Sequence, residues 1–551
     1  MAKRPKRIVT AIFLCGIFIM FIGMSYIMGK EVDLDIPHGL CKWYEIFFYV
    51  LPSIAIILYR NAGTEHSVVG STARELSEIC LSVFIIWFID RVSLWPDIQG
   101  PAYLLIIFAK LLLSISVTLG IMKLTDCVAR NHDRIFRLAD RYKYALCFFM
   151  IYLVRLLGYT SKSPNSWPST YYVLNYSDGF GSRFLPGQIL SFFSNDGFIS
   201  NRQVVIFIGI AHIILIGECA LLMNGFMNSL KSGHKKAGLF ILCLYISEPA
   251  GIDALWSWEN AGLNEVFVLI FLALAVMLFN MISNPVVKYG SLVLLTFLIM
   301  ACYQGYLFLY LPVMLCMLIN EVFDKKDRSS IVGSAFVLTT TVISFVIFQF
   351  FKFINYDSAK DLAEAASSRT DMNMKLSEYV YSLEFEHPMQ YHWFSFFEGN
   401  ITDDTVYFMR EKSFIIILLL LPIVFLFVYI WKSLFRHLGP APILGSKYFW
   451  MLFCDCIIII QFAITMDWGR WYIAVLTVQF FQFMYLCYKK DAGAMKILSS
   501  IERFTERHFS LCLLTILWLS GLTRVEAAPQ MKLAGRLWTA FEYVLRSLHI
   551  I

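Results

Sequence analysis

The sequence is poor in charge. Charged residues make up 16% of its 551 positions, whereas a soluble globular chain carries about 25%. Hydrophobic residues make up 58%, and they recur in runs of about 20, the length that crosses a bilayer as a helix. The low charge excludes an ordinary soluble domain. The repeated apolar runs predict a polytopic integral membrane protein.

The sequence also lacks the motifs of several soluble enzymes. It contains no Walker motif, no Rossmann fingerprint and no H-E-x-x-H. A nucleotide-sugar donor bound on the cytoplasmic side is therefore not expected, and neither is a nucleic-acid partner. The 13 cysteines form no disulfide or zinc pattern, because most of them, such as Cys15, Cys243 and Cys302, fall within apolar runs.

The apolar runs predict an all-α fold of roughly 13–15 transmembrane helices, with outward-facing loops that form the site. Short runs around "CYQGY" (Cys302 to Tyr306) predict two short helices or one broken helix. We expect four regions along the chain. They are a four-helix membrane extension at 1–143, a membrane core with a first large outward loop (160–202) at 144–323, a second core with a long outward loop (354–411) at 324–528, and a C-terminal interfacial or partner-binding helix at 529–551.

The distribution of lysine and arginine predicts the orientation. The N-terminal "MAKRPKR" is basic and precedes a long apolar run with no small-residue cleavage site, so we expect an uncleaved first span and a cytoplasmic N-terminus. Alternating spans then place the basic segments 231–236 and 432–447 in the cytoplasm, as the positive-inside rule requires. The loops that carry unusual acids and tryptophans fall together on the outer face.

The first of these outer loops contains "YSDGFGSRFLPG" (Tyr176 to Gly187). Gly179 and Gly181 permit a tight turn with exposed backbone N–H groups, and Arg183 adds a cation, a combination that favours anion binding. Asp178 is then the candidate catalytic residue, a general base that takes a proton from an incoming hydroxyl while Arg183 holds a departing phosphate. The alternative is an ordinary polar turn capped by Asp178.

A late outer segment, "MDWGRWY" (Met466 to Tyr472), repeats the theme. Asp467 and Arg470 lie three residues apart, so on a helix they would share a face and could pair. Trp468 and Trp471 suit stacking against sugar rings. The alternative is a belt of aromatic side chains at the membrane interface with a neutralised ion pair.

The outer stretch 247–265 supplies further candidates for binding the acceptor or its sugar: Glu248, Asp253, Trp256 and Trp258. Its acids could bind a divalent cation, Mg²⁺ or Mn²⁺, although their spacing matches no firm ligand template. Helix capping and solvation are the alternative roles.

Two more residues complete the candidate site. Arg155 lies near the outer end of its predicted span, just before the 160–202 loop, and would face the donor phosphate. His392 in the loop 354–411 could shape an acceptor site, with loop packing as the alternative. The same loop contains "DLAEAASSRTDMNMKLSEYVYSL", which predicts a helical segment with exposed polar faces.

With an acid, Asp178, in the first large outward loop at the end of an early span, over a body of many membrane helices, the chain resembles GT-C-fold glycosyltransferases, which use polyprenyl-phosphate-linked sugars on the outer face of the membrane. The motifs "DGFGSRFLPG" (Asp178 to Gly187) and "DWGRW" (Asp467 to Trp471) also look like those of a group of bacterial envelope-polysaccharide membrane proteins. The resemblance covers residues 144–490 and implies Asp178 as the general base, with Arg183 and Arg470 as donor-phosphate ligands. The sequence departs from the family in that four spans precede the one leading to Asp178, whereas the family's catalytic acid normally follows its first span.

The resulting expectation is a membrane glycosyltransferase, inverting in stereochemistry, that moves a sugar from a polyprenyl-phosphate-linked donor to an extracytoplasmic glycan or glycolipid acceptor. It would lie in a bacterial plasma membrane, in contact with membrane lipid, and serve cell-envelope polysaccharide biosynthesis. A polymerase or ligase for lipid-linked polysaccharide repeats is an alternative and would rely mainly on Arg183 and Arg470. A transporter or flippase is another, and it fits the short or broken spans at 288–323.

Overall fold

The computed structural model is about 81% helical and has almost no strands. It describes residues 103–130, 132–158, 164–194, 197–256, 260–386, 416–439, 442–464 and 468–520, with a few single positions before residue 87 and after residue 520. The prediction of an all-α chain is confirmed for these residues.

The chain divides into two compact units, Met1–Asp140 and Arg141–Ile551. The helix that crosses this boundary departs from helical geometry at Tyr142, with φ −110° and ψ 15°. In the first unit the described helix buries Ser114 and Thr118, and the Thr118 hydroxyl donates to the Ser114 carbonyl at 2.8 Å. Side-chain hydroxyls satisfied by their own helix in this way suit an apolar environment.

The described helices are numbered here in chain order. The first nine are α1 (Tyr103–Arg130), α2 (His132–Gly158), α3 (Ser166–Val173), α4 (Phe184–Ser191), α5 (Asn201–Ser229), α6 (Lys235–Ser247), α7 (Glu265–Met281), α8 (Pro285–Cys302) and α9 (Tyr306–Leu309). The next nine are α10 (Leu311–Lys325), α11 (Arg328–Phe350), α12 (Ala359–Ser368), α13 (Ser377–Tyr381), α14 (Leu421–His437), α15 (Lys447–Ile464), α16 (Trp468–Tyr488), α17 (Ala492–Arg507) and α18 (Phe509–Ser520). Single turns of 3-10 helix lie at Ser232–His234, Ile252–Trp256 and Ile443–Gly445, and a π turn lies at Ser382–Glu386.

Five helices within the described residues are long and apolar enough to cross a membrane: Asn201–Ser229, Ser232–Trp256, Pro285–Cys302, Arg328–Phe350 and Gly469–Tyr488. Shorter apolar helices lie at Glu265–Met281 and Phe509–Ser520. The chain is therefore a membrane-embedded helical protein, as predicted. The total of 13–15 spans stays a prediction, since much of the expected N-terminal extension lies outside the described residues.

Capping residues explain where several helices begin. Ser200 and Gln203 form a capping box at the start of α5. Asn284 caps α8 ahead of Pro285, and the Asp327 side chain accepts from the Ser330 amide at 2.7 Å to cap α11. The interruption predicted at "CYQGY" is real: α8 ends at Cys302, and the chain restarts with the short α9 before α10.

Two short strands fix the loop that contains Asp178. β1 (Gly179–Phe180) pairs antiparallel with β2 (Phe353–Ile354), with Gly179 opposite Ile354. β2 follows α11 directly, and α11 packs on α8, which packs on α7. The loop containing Asp178 is thereby attached to the ends of the central helices.

Ion pairs mark two opposite ends of the second unit. One, the arginine end, holds Arg155, Arg183 and Arg470; the other, the lysine end, holds Lys236, Lys325 and Lys447. Helix α16 runs between them over 21 residues, a length of roughly 30 Å, which matches a bilayer core. The residues assigned from sequence to outer loops thus lie at one end and the basic segments at the other. Which end faces outward stays a prediction.

Candidate functional site

The turn at Asp178 is built by its glycine and by the strand pair. Gly179 has φ +152°, and a Cβ there would clash with the backbone of Phe353 and Ile354 across the ladder. The Asn355 amide donates to the Asp178 carbonyl at 2.7 Å, which closes the pairing. Only glycine permits this close approach of two backbones. The close approach of the two backbones therefore explains why glycine follows Asp178 in the motif.

The Asp178 carboxylate is buried and fully engaged. Its Oδ1 accepts from the Tyr356 hydroxyl at 2.7 Å and lies 3.0 Å from Nη1 of Arg369. Its Oδ2 accepts from Nη1 of Arg369 at 3.1 Å and from the Asn175 amide at 3.0 Å. Charge-assisted bonds of this kind are stronger than neutral hydrogen bonds. The sequence-predicted base is thus held in place by Tyr356 and Arg369 of the 354–411 loop.

Tyr356 is tied electrostatically to this carboxylate. Burial, and then the hydrogen bond to Asp178, raise the pKa of Tyr356 to about 12. Arg369 also donates to the Tyr356 oxygen, at 3.3 Å. The three side chains form one network that joins the motif turn to the segment after α11.

Arg183 adopts a conformation that non-glycine residues rarely take. Its φ of 73° places it in the left-handed region directly before α4, and its amide donates to the Ala301 carbonyl at 2.8 Å. Such strain of about 1–3 kcal/mol persists where surrounding contacts enforce it, and it clusters at functional sites. The backbone here aims the guanidinium toward the end of α8.

The Arg183 guanidinium lies among aromatic rings and one acid. It donates to the Tyr171 hydroxyl at 2.6 Å, and its carbon lies 4.8 Å from the Tyr171 centroid and 4.7 Å from that of Tyr303. Its Nη1 is 3.1 Å from Oε1 of Glu384. Burial alone would lower the pKa of Arg183, but Tyr171 and Glu384 outweigh it and hold the pKa above its ordinary value. The side chain is a permanent buried cation.

Arg470 begins the second half of the site. It lies in the first turn of α16, and its Nε donates to Oε1 of Glu265 at 2.7 Å, with a further bond from Nη2 to the same oxygen. Nη2 also donates to the Tyr303 hydroxyl at 3.3 Å. Its guanidinium carbon lies 5.6 Å from the Tyr303 centroid and 5.2 Å from that of Trp471.

Tyr303 joins the two halves. Both Arg183 and Arg470 lie within cation–π distance of its ring. The two arginines predicted as phosphate ligands come from opposite ends of the core sequence, and the fold brings them to one buried tyrosine. Two cations beside one aromatic ring could bind an anion. The sequence alone does not show that these two arginines meet.

Arg155 belongs to a separate cluster. Its Nη1 donates to Oδ2 of Asp253 at 2.9 Å and to the Ile246 carbonyl at the end of α6. A Cβ at Gly251 would lie 3.0 Å from Oδ1 of Asp253 and 3.3 Å from Oε1 of Glu248, so glycine lets these two acids converge. Arg155 is thus the counter-ion of Asp253, and its role as a phosphate ligand stays a prediction.

The predicted stacking residues are placed differently from one another. Trp256 and Trp471 are both almost fully buried, and Trp256 packs edge-on against Tyr152 and His212 at 5.8 and 5.6 Å. Trp468 is the first residue of α16. Asp467, Trp258 and His392 lie outside the described residues. Sugar binding by these residues stays a prediction.

A metal site is not evident in the described ranges. Within them, no group of three or more His, Cys, Asp or Glu side chains is arranged to hold an ion. Glu248 and Asp253 contribute two acids, and Arg155 supplies charge beside them. Binding of Mg²⁺ or Mn²⁺ stays a prediction.

Several site residues carried no clear sequence signal. Glu265 is the last residue of the stretch 247–265, and no local pattern predicts its pairing with Arg470 on another helix. Tyr303 lies in the "CYQGY" break, which did signal irregular backbone. The remaining partners come from the 350–386 region: Lys352, Tyr356, Arg369 and Glu384.

Comparison of the sequence with protein-family models and with curated proteins returns no match, and no solved structure is similar to it. The roles proposed below therefore rest on the contacts of Asp178, Arg183 and Arg470 and on the motif resemblance.

Proposed function

We propose that the chain is a membrane glycosyltransferase that moves a sugar from a polyprenyl-phosphate-linked donor to an extracytoplasmic glycan or lipid-linked acceptor. The arginine end would face the outside of a bacterial plasma membrane. The observation that carries the proposal is the convergence of Arg183 and Arg470 on Tyr303, beside the turn that presents Asp178.

The cations suit the leaving group of such a transfer. As the glycosidic bond to the donor phosphate breaks, the departing phosphate gains negative charge, and preorganised cations stabilise that charge in a water-poor site. Arg183 and Arg470 are both buried against aromatic rings. Their rigid setting would require little reorganisation during the reaction.

Asp178 would act on the acceptor. Its carboxylate would accept the proton of the acceptor hydroxyl as that oxygen forms the new bond to the anomeric carbon, while the old bond's electron pair leaves with the phosphate. Arg369 and Tyr356 hold the carboxylate in place. For this step, the hydrogen bond that Asp178 accepts from either Arg369 or Tyr356 must be replaced by one from the acceptor hydroxyl.

The membrane setting fits a lipid-linked donor. Five membrane-length apolar helices within the described residues would place the polyprenyl chain in lipid, beside a site at their ends. Exposed Phe192 and Phe193 follow α4 at the same end and would lie among acyl chains or headgroups.

One observation favours a second candidate, a polymerase or ligase for lipid-linked polysaccharide repeats. Both oxygens of Asp178 are already engaged by Arg369, Tyr356 and the Asn175 amide, as expected for a structural acid. In that case Arg183 and Arg470 would carry the reaction and Asp178 would hold the turn.

Complementation tests the proposal. A strain lacking the protein would receive wild type, Asp178→Asn, Arg183→Ala or Arg470→Ala at matched protein level, and surface polysaccharide would be quantified. Glu364→Gln is the control, because Glu364 is exposed and its ion pair is with the exposed Lys360, one turn earlier in α12. We expect all three site variants to lose polysaccharide and the control to retain it.

The outcomes separate the candidates. Loss from both arginine variants together with full activity of Asp178→Asn would favour the polymerase or ligase. Full activity from all three site variants would contradict both functions.

A further inference from the structure

Glu384 bridges two buried cations at the candidate site. Its Oε1 lies 3.1 Å from Nη1 of Arg183, and its Oε2 accepts from Nζ of Lys352 at 2.9 Å. The exposed fractions of the three side chains are 7%, 12% and 6% respectively. The Tyr171 hydroxyl donates to Oε1 at 3.2 Å. One carboxylate therefore occupies the space between two cations.

Lys352 is attached to the same framework as the motif turn. It lies between the end of α11 and β2, and β2 pairs with β1 at Gly179. Its Cβ would be the nearest neighbour, at 3.7 Å, of a Cβ built on Gly181. The backbone of the D-G-F-G-S-R segment thus sets the separation of Lys352 and Arg183.

Within the part of the chain that the structure describes, the cations at this position outnumber the acids. Among those residues, Arg470 is matched by Glu265 and Arg369 by Asp178, whereas Arg183 and Lys352 share one acid, Glu384. A phosphate group offers more oxygens and, once its ester bond has broken, more negative charge than a carboxylate. Between an arginine and a lysine it would make charge-assisted bonds to both.

Glu384 lies on an irregular element. It belongs to the π turn Ser382–Glu386 that follows the single-turn helix α13. π turns are rare and occur frequently at functional sites. The acid is therefore held by a single irregular turn next to a five-residue helix, and not by the interior of a long helix.

We propose that Arg183 and Lys352 form the binding site of the donor phosphate and that Glu384 is the counter-ion of this site, displaced when the donor binds. This inference rests on the proposed function and adds to it a phosphate ligand, Lys352, and a regulatory acid, Glu384. The Glu384 carboxylate occupies this phosphate-binding site until a lipid phosphate displaces it.

Binding of geranyl phosphate to the full chain in phosphatidylcholine nanodiscs tests the inference. The variants are Glu384→Gln, Lys352→Met and Arg183→Met, with Glu364→Gln as the matched control on an exposed pair. We expect Glu384→Gln to lower Kd about tenfold, Lys352→Met to raise it about tenfold, and Arg183→Met to abolish binding, corresponding to changes of about 1.4 kcal/mol per tenfold. The control should bind as wild type.

The results distinguish the inference from the function on which it rests. If Arg183→Met abolishes binding while Glu384→Gln leaves Kd unchanged or raised, the counter-ion role is wrong and the function stands. If Lys352→Met binds geranyl phosphate as tightly as wild type, Lys352 is not part of the phosphate-binding site. If neither wild type nor Glu384→Gln binds geranyl phosphate, both the inference and the donor assignment fail.

Separate arms identify the source of the phosphate. Inorganic phosphate should bind much more weakly than geranyl phosphate, and anionic phosphatidylglycerol in the nanodisc should not displace geranyl phosphate. Equal affinity for inorganic phosphate, or displacement by the bilayer lipid, would overturn the assignment to a prenyl phosphate.

A measurement on the wild type protects the test against misfolded variants. Hydrogen exchange of the amides in 382–386 should accelerate when geranyl phosphate is saturating, because Glu384 no longer holds the turn. Unchanged or slower exchange in this segment, with binding established, would contradict displacement.

Discussion

Arg183 and Arg470 contact the same aromatic ring, at 4.7 and 5.6 Å from the Tyr303 centroid. Arg183 precedes a short helix in the loop 160–202, and Arg470 lies in the first turn of a membrane-length helix far along the chain. Arg183 also pairs with Glu384, an acid that it shares with Lys352, and Arg470 pairs with Glu265. This shared ring makes the site a single unit and supports several predictions.

Removing the Tyr303 ring should loosen both arginines. Each cation–π contact is worth about 0.5–2 kcal/mol, so Tyr303→Leu should weaken geranyl phosphate binding by roughly tenfold or more. Tyr303→Phe keeps the ring and loses only the 3.3 Å bond from Arg470, so its effect should be smaller. Titration of both variants with geranyl phosphate in nanodiscs measures their affinities. Equal affinities for the two variants would show that the ring has no supporting role.

Asp178 and Arg369 should be energetically coupled. Removing Arg369 leaves a buried carboxylate short of its charged partner, and such a loss costs about 3 kcal/mol. Arg369→Met should therefore lower the Tm in detergent more than Asp178→Asn. The double variant should lose less than the sum of the two single variants, because the pair no longer exists to be broken twice. Additive Tm changes would contradict a direct coupling.

The tyrosine beside Asp178 predicts a stability change at alkaline pH. The pKa of Tyr356 is raised from 10.0 to about 12, by burial and by the Asp178 bond. Because the folded state holds the proton more tightly, this contribution to stability is complete below pH 10 and is lost as the pH rises through 12. The Tm should fall over this window, and Tyr356→Phe should show a shallower fall. Identical pH profiles would mean that Tyr356 titrates as freely in the folded state as in the unfolded state.

The last glycine of the motif should be required for packing. A Cβ at Gly187 would clash with the carbonyl oxygens of Leu174 and Tyr171, at the end of α3. Gly187→Ala should destabilise the chain by about 3 kcal/mol, because backbone atoms must shift to accommodate it. Gly209→Ala in α5 meets nothing within 4 Å and is the matched control, expected to be neutral or stabilising by up to about 1 kcal/mol. Thermal unfolding in detergent compares the two, and a similar Tm for both variants would contradict the clash.

Part of the architecture followed from patterns local in sequence. The apolar runs predicted helices of membrane length, the basic loops predicted a common end, and the glycines of the D-G-F motif predicted a tight turn, which β1 now explains. The break at "CYQGY" was also visible, because its short apolar runs could not each form a full span.

The partners of the charged residues did not follow from such patterns. Asp467 lies outside the described residues, so its pairing with Arg470 stays a prediction, whereas the contact of Arg470 with Glu265 joins two helices that no local pattern relates. Glu384 lies in a π turn, which has no periodic sequence signature, and Arg369 reaches Asp178 from a segment nearly two hundred positions later. Trp256 is a candidate for sugar binding by its sequence context, and no sequence pattern shows that it packs in the core against Tyr152 and His212.

The length of α11 links the site to the thickness of the bilayer. The helix has 23 residues, about 35 Å, whereas the hydrocarbon core is about 30 Å thick. Only 28% of its apolar stretch is buried within the protein, so much of its surface is left to contact lipid. A helix longer than the hydrocarbon relieves the mismatch by tilting, and Lys352 and β2 follow its last residue without a flexible spacer. The separation of Lys352 from Arg183, and with it the affinity for a lipid phosphate, should therefore vary with acyl-chain length.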